Sequence, residues 1–252
     1  MRTFALFRTL IAALVFALPL AVSAQQITVS AAASLTDAFK ELAAKFETSR
    51  PGTTVRLNFA ASGVLLQQII QGAPVDVFAS ADQETMDRAA AQKLIDPATR
   101  KNFAANSLVL IEPAQGGAGI KTLQDLASVP VKKIAVGKLA TVPSGRYTKQ
   151  ALDRAGLWTA LAPKFVQADS VRQVLDYVAR GEVEAGFVYR TDASVMGDRV
   201  KIVMSPPGAM LITYPMAVVA ESRQAAMARD FLAFIAGDAG QQTLARFGFG
   251  KP

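Results

Sequence analysis

The sequence predicts an α/β protein of two lobes, with mostly parallel sheets, flanking helices and a ligand cleft between the lobes. Three observations predict it. Short apolar strands alternate with amphipathic helices along most of the chain. The alternation occurs twice, with no Pro-, Gly- or Ser-rich linker between the two runs. Two long apolar strands, Ser107–Glu112 and Thr213–Ala220, stand where the chain would cross between lobes and return.

In order, Ile27-Thr28-Val29 reads as a strand. Leu35, Ala38, Phe39, Leu42 and Phe46 then share one helix face, and Arg50-Pro51-Gly52 stops that helix. Val55, Leu57 and Phe59 alternate with polar residues, as a strand requires. Leu65, Leu66, Ile69 and Ile70 mark a second helix, ended by Gly72 and Pro74. A strand over Val75–Ala79 and a helix from Asp82 towards Asp96-Pro97 complete the first run. Leu108–Ile111 is the apolar crossing strand. The second run has strands at Ile134–Val136, Phe165-Val166, Gly186–Tyr189 and Val200–Met204. Its helices cover Arg146–Ala155 and the face of Val171, Val174, Leu175 and Val178. After the returning strand, Met227, Phe231 and Ile235 mark a helical tail. The domain expectation is therefore lobe I over 25–106, lobe II over 107–213, and a return to lobe I over 214–252.

Residues 1–24 read as a separate object. Arg2 and Arg8 precede an apolar run from Leu10 to Val22, and Val22-Ser23-Ala24 offers a small-x-small cleavage pattern. The run is too short for a comfortable bilayer span, which needs about 20 residues. No cysteine follows for lipid attachment. The expectation is a signal peptide cleaved after Ala24 and an exported, soluble protein.

Composition removes whole classes of chemistry. With 0 cysteines and 0 histidines, there is no thiolate nucleophile, zinc-thiolate site or serine–histidine triad. The net charge of +7 invites nucleic acid as partner. Yet the basic residues are scattered, with pairs such as Arg100-Lys101 and Lys132-Lys133 the densest clusters. No basic stripe with interleaved aromatics exists, so no nucleic-acid partner is expected.

Four places repeat one local design, a strand end, a small-residue turn with a serine, then an apolar helix. They centre on Ser34, Ser62, Ser144 and Ser170. A helix N-terminus carries unpaired N–H groups and partial positive charge, so small residues there let an anion approach the backbone. A plain helix-cap role competes at each serine. Repetition favours a ligand, because the strand-to-helix edge of an α/β sheet is where ligands sit.

The string Ile27-Thr28-Val29-Ser30-Ala31-Ala32-Ala33-Ser34-Leu35-Thr36 closely resembles the start of the mature periplasmic molybdate-binding proteins of ABC transporters. Gly72-Ala73-Pro74-Val75-Asp76-Val77-Phe78-Ala79-Ser80-Ala81-Asp82 is similar to the same family. Asn106-Ser107-Leu108-Val109-Leu110, Val142-Pro143-Ser144-Gly145, Gly186-Phe187-Val188-Tyr189 and Tyr214-Pro215 follow in the family's order. The resemblance implies a periplasmic-binding-protein-like fold and a tetrahedral dianion, molybdate or tungstate, held by neutral donors. It implies the hydroxyls and amides of Ser34 and Ser62, the amides of Ser144 and Val171, and the phenol of Tyr189 as the oxyanion-binding set. It implies no enzyme activity, no catalytic residue, no cofactor and no bare metal cation. The partner it implies is the membrane permease of a molybdate ABC transporter, served by a monomer in the periplasm. Ser144 departs from the family's usual alanine, and its hydroxyl is either a further donor or a cap.

The bare chemistry agrees, since a fully ionised oxyanion only accepts hydrogen bonds and suits a site without carboxylates. Arg146 and Arg190, beside contact positions, are expected to face solvent. Asp37 is expected to face its own helix turn, Asp76 to make a structural hydrogen bond, and Asp169 is the carboxylate nearest a proposed contact. Sulfate is the alternative ligand. Ferric iron on the tyrosines, a Ser144–Lys149 hydrolase and a purely structural or adhesive protein are the remaining rivals.

Overall fold

The computed structural model describes residues 25–208 and 211–252. The expected signal peptide, 1–24, lies outside them. Two five-stranded sheets form the body.

The first sheet has the order β2-β1-β3-β10-β4. Its strands are β1 (Gln25–Ala32), β2 (Thr53–Ala60), β3 (Val77–Ala79), β4 (Lys101–Asn106) and β10 (Ile212–Val218). The second has the order β7-β6-β8-β5-β9. It is built from β5 (Leu108–Pro113), β6 (Ile134–Gly137), β7 (Phe165–Ala168), β8 (Ala185–Tyr189) and β9 (Val200–Met204). In each sheet three strands run parallel, β2-β1-β3 and β7-β6-β8. The apolar strands at the crossings add antiparallel pairs: β10 with β3 and β4, and β5 with β8 and β9. The sheets are thus mixed, with a parallel part in each. The chain passes between sheets at Ser107, a single residue after β4, and comes back in the segment before Ile212.

The sequence reading left out β4, whose ends are polar although Phe103, Ala104 and Ala105 are buried. β10 carries Pro215 in the interior of a sheet, where a missing N–H would break the ladder. A register shift between Tyr214 and Pro215 accommodates it.

The helices cover both faces. α1 (Thr36–Ser49) buries Ala38, Phe39, Leu42 and Phe46, the face its spacing predicts. Phe39 and Phe46 pack edge-on against Phe231 of α8 (Ala225–Ala236), and Phe39 against Phe103. The chain's final helix, α9 (Asp238–Arg246), closes the same lobe. In the second lobe, α4 (Pro143–Arg154) starts with Pro143 in its first turn, three residues earlier than periodicity suggests. Gly145 lets this helix end sit on β6, because a Cβ there would lie 2.0 Å from the Gly137 carbonyl oxygen. α6 (Val171–Ala179) buries Val171, Val174, Leu175 and Val178 as predicted. α2 (Ser62–Ile70), α3 (Gln83–Ala91), α5 (Trp158–Leu161) and α7 (Arg190–Val195) complete the set. No helix among the described residues is long and apolar enough to cross a membrane.

Candidate functional site: a donor-lined pocket between the lobes

The parallel strands of both sheets point their carboxyl ends at one small pocket. Ser34 follows β1 and Ser62 follows β2; both belong to the first lobe. Ser144 and Val171 open α4 and α6 in the second lobe, and Tyr189 ends β8. All five residues singled out in the sequence line this pocket, with alanines and Pro143 filling the gaps between them. No carboxylate, lysine or arginine lines it.

The competing cap role can be decided for each serine. Ser34 sits in a 3₁₀ turn before α1, makes no cap, and its Oγ lies 3.1 Å from Tyr214 Oη. Ser62 is inside α2, whose N-cap is Ala61; its Oγ accepts the Ala81 N–H at 3.0 Å. Ser144 is the second residue of α4, and its Oγ is sealed from solvent with no hydrogen-bond partner. Ser170 alone is a cap, accepting the Gln173 N–H at 3.2 Å. Three hydroxyls therefore face the pocket without a capping duty. The first-turn amides of Ser62, Ser144 and Val171 have no carbonyl one turn earlier to bond. Tyr189 is buried, and its O–H makes one long contact, 3.5 Å, to the Ala81 carbonyl. Burial holds its phenol well above the ordinary value, so it stays a proton donor. A ligand with lone pairs on every side fits this set, and a cation does not.

Arg146 corrects the sequence reading. It does not face solvent, but crosses from α4 to the first lobe. Its Nη2 pairs with Asp82 Oδ2 and donates to Thr85 Oγ1 at 2.9 Å. Its Nη1 donates to the Leu139 carbonyl at 3.0 Å. Asp82 meanwhile caps α3 through the Thr85 N–H. Asp37 is also different from expectation. Its carboxylate pairs with Arg172 of α6, at 2.8 Å, and not with its own helix turn. Arg172 Nε holds Asp192 of α7 at 2.6 Å as well. A third crossing is made by backbone alone, from the Gly63 N–H to the Thr141 carbonyl at 2.9 Å. The lobes are thus joined around the pocket.

The other charged residues stay out of the site. Arg190 is exposed and donates to Ser205 Oγ at 3.0 Å. Asp169 is exposed and pairs with Lys138, outside the pocket. Asp76 has the structural role expected, accepting the Thr28 N–H at 2.7 Å and the Ser222 hydroxyl at 2.6 Å. Lys149, the partner a hydrolase would need, pairs with Asp153 at 2.5 Å while Ser144 Oγ has no partner.

One buried acid titrates near neutrality. Burial pushes Asp192 from the usual 3.8 up to about 6, against the pull of Arg172 and of the Tyr189 N–H. The folded state therefore holds this proton more tightly than the unfolded chain. Its contribution to stability is most favourable below about pH 4 and is lost as pH rises to about 6. Relative to Asp192→Asn, the parent should gain stability as pH falls from 7 to about 4.5. Paired urea melts across that range check the sign; a constant difference would contradict it.

The model of the bacterial extracellular solute-binding protein family matches residues 27–250. The chain is 38% identical over 230 residues to the molybdate-binding protein ModA of Escherichia coli, covering 89% of this chain and 88% of that one. It is 36% identical to ModA of Mycobacterium tuberculosis, over 91% and 86% of the two chains. Among solved structures, the substrate-binding domain of a putative molybdenum ABC transporter from Clostridium difficile aligns with a TM-score of 0.68. That pair shares 36% identity and covers 90% of this chain and 99% of the other. The sulfate-binding protein SubI of Mycobacterium tuberculosis shares the fold, with a TM-score of 0.80 at 20% identity, over 90% and 87%. The chain belongs to the bacterial extracellular solute-binding proteins, in the family of the ModA molybdate-binding proteins.

Proposed function

We propose that this protein captures molybdate, and tungstate with it, in the periplasm and delivers it to the permease of an ABC transporter. The observation that carries the reading is a pocket lined by hydroxyls and first-turn amides from both lobes, with no carboxylate on its wall. A tetrahedral dianion accepts hydrogen bonds on every oxygen and needs no counter-charge when enough preset donors surround it. Ser34, Ser62 and Tyr189 supply hydroxyl donors; Ser34, Ser62, Ser144 and Val171 supply amides. The lobes close on the anion, and the closed pair of lobes is the surface a permease would recognise. Residues 1–24 would direct export and be removed after Ala24. The mature protein would act as a monomer and carry out no chemistry on its ligand.

Sulfate shares the charge and shape of molybdate in a smaller body, so selectivity rests on pocket size. The relatives at 38% and 36% identity described above are named for molybdate, which favours that ligand. In calorimetry, molybdate and tungstate should bind tightly and about equally, and sulfate far more weakly. Ligand binding raises stability with concentration over Kd. A melting temperature raised as much by sulfate as by equal molybdate would overturn the specificity.

Ser144 adds a hydroxyl to this set. Its unpartnered, buried Oγ is satisfied when an oxyanion fills the pocket. Ser144→Ala should weaken molybdate binding by about tenfold, since a hydrogen bond to a charged group contributes roughly 1.5 kcal/mol or more. Titration of the variant checks this; unchanged affinity would leave Ser144 contributing only its amide.

A further inference from the structure

We infer that Tyr214, oriented by Asn106, is a positioning residue that fixes the Ser34 hydroxyl as a donor and thereby rejects anions that carry a proton. The inference rests on the oxyanion reading of the pocket and concerns how that pocket tells one oxyanion from another.

The polarity can be followed from the backbone. The Ser107 N–H donates to Asn106 Oδ1 at 2.9 Å, which settles which end of the Asn106 amide is oxygen. Nδ2 then faces Thr191 Oγ1 at 2.9 Å and Tyr214 Oη at 3.3 Å. An amide nitrogen only donates, so Tyr214 Oη accepts from it. The phenol has one proton, and its other neighbour is Ser34 Oγ at 3.1 Å. Tyr214 therefore donates to Ser34. The reverse arrangement would set the Tyr214 proton against the Asn106 N–H. Ser34, already accepting, turns its own proton to the pocket it lines.

Burial locks this order. Tyr214 is fully buried, Ser34 is 3% exposed and Asn106 7%. Water is not at hand to reorient the chain of hydroxyls. Ser62 is set the same way by the Ala81 N–H. Both first-lobe hydroxyls thus meet the ligand as donors. Molybdate and sulfate, fully ionised at neutral pH, satisfy both. Hydrogen phosphate and hydrogen arsenate present an O–H of their own, and at Ser34 two donors would face each other. The relay starts at the crossing between the sheets: Asn106 ends β4, Ser107 is the link, and Tyr214 lies on the returning strand.

Tyr214→Phe tests this with little threat to folding, because Asn106 Nδ2 keeps Thr191 and the ring remains. Parent, Tyr214→Phe, Ser34→Ala and the double variant would be titrated with molybdate and with hydrogen arsenate at neutral pH. The parent should prefer molybdate. Tyr214→Phe should lower molybdate affinity about tenfold and narrow the molybdate-to-arsenate ratio by at least that factor. In the Ser34→Ala background it should leave the ratio unchanged, because the relay acts only through Ser34. Equal loss for both anions, an unchanged ratio, or the same narrowing without Ser34 would overturn the relay. A parent that binds neither molybdate nor sulfate would overturn the oxyanion reading itself, a separate outcome. Asn106→Asp is the second variant. It replaces the donor with an acceptor, reverses the chain, and should narrow the ratio even though the added charge repels both anions; an unchanged ratio would count against the relay.

Discussion

Gly63→Ala is expected to reduce molybdate affinity at least a hundredfold while each lobe stays folded. Gly63 is the second residue of α2, and its Cβ would lie 2.7 Å from both Cα and O of Thr141. Thr141 belongs to the second lobe, in the link from β6 to α4. The clash is with backbone, so no side chain can swing aside. It arises only when the lobes meet, because the atoms a Cβ would strike belong to the facing lobe. With the lobes held apart, Ser34 and Ser62 cannot share an anion with Ser144, Val171 and Tyr189. A hundredfold loss corresponds to about 2.7 kcal/mol. Alanine is a better helix former than glycine, so the change does not weaken α2 itself. Calorimetry with molybdate and circular dichroism of the ligand-free variant check both halves. Parent-like affinity would mean that the pocket binds without this closure.

Ser34→Ala and Ser62→Ala should each weaken molybdate binding by about ten- to a hundredfold, since each removes a hydroxyl donor to a charged acceptor, roughly 1.5–3 kcal/mol. Neither serine caps a helix, so helix fraying is not the cost. Instead each change strands a buried donor, the Tyr214 O–H or the Ala81 N–H. That should take about 1–3 kcal/mol from stability as well. Titration separates the two effects from thermal melts. If both variants bind as the parent does, the anion lies elsewhere.

Much of this was legible along the chain because it is local. Helix faces, the small-residue turns and the alternation of strand and helix within each run depend on neighbours a few residues apart. The turns marked Ser34, Ser62, Ser144 and Ser170; the family resemblance implied Ser34, Ser62, Ser144, Val171 and Tyr189, and these five line one pocket. Contacts across the cleft were not legible. Arg146 and Asp82 are 64 residues apart, and Ser34 and Tyr214 are 180 apart. No periodicity encodes a partner at that distance. An arginine beside a helix start has the same appearance in sequence whether it meets water or a carboxylate on the other lobe. β4 escaped for a related reason: Lys101 and Asn102 are exposed while Phe103 to Asn106 are buried, so neither alternation nor an apolar run announces the strand. The antiparallel half of each sheet came from the crossing strands, whose direction follows from where the chain returns and not from their composition.

The position of β10 has a consequence for the order in which the molecule can be assembled. The second sheet is drawn from one continuous stretch, β5 to β9, and needs nothing outside it to be complete. The first sheet cannot close in the same way. β10 lies between β3 and β4, so until the last quarter of the chain arrives, β4 has no neighbour in its sheet. α8, which packs against α1, comes later still. The earliest-made residues thus wait for the latest-made ones, and pairings over so long a stretch of chain form slowly. For the export proposed above, in which the polypeptide would cross a membrane before it folds, this delay would be useful. The first sheet, begun by the residues that emerge first from the ribosome, cannot be finished until β10 is made.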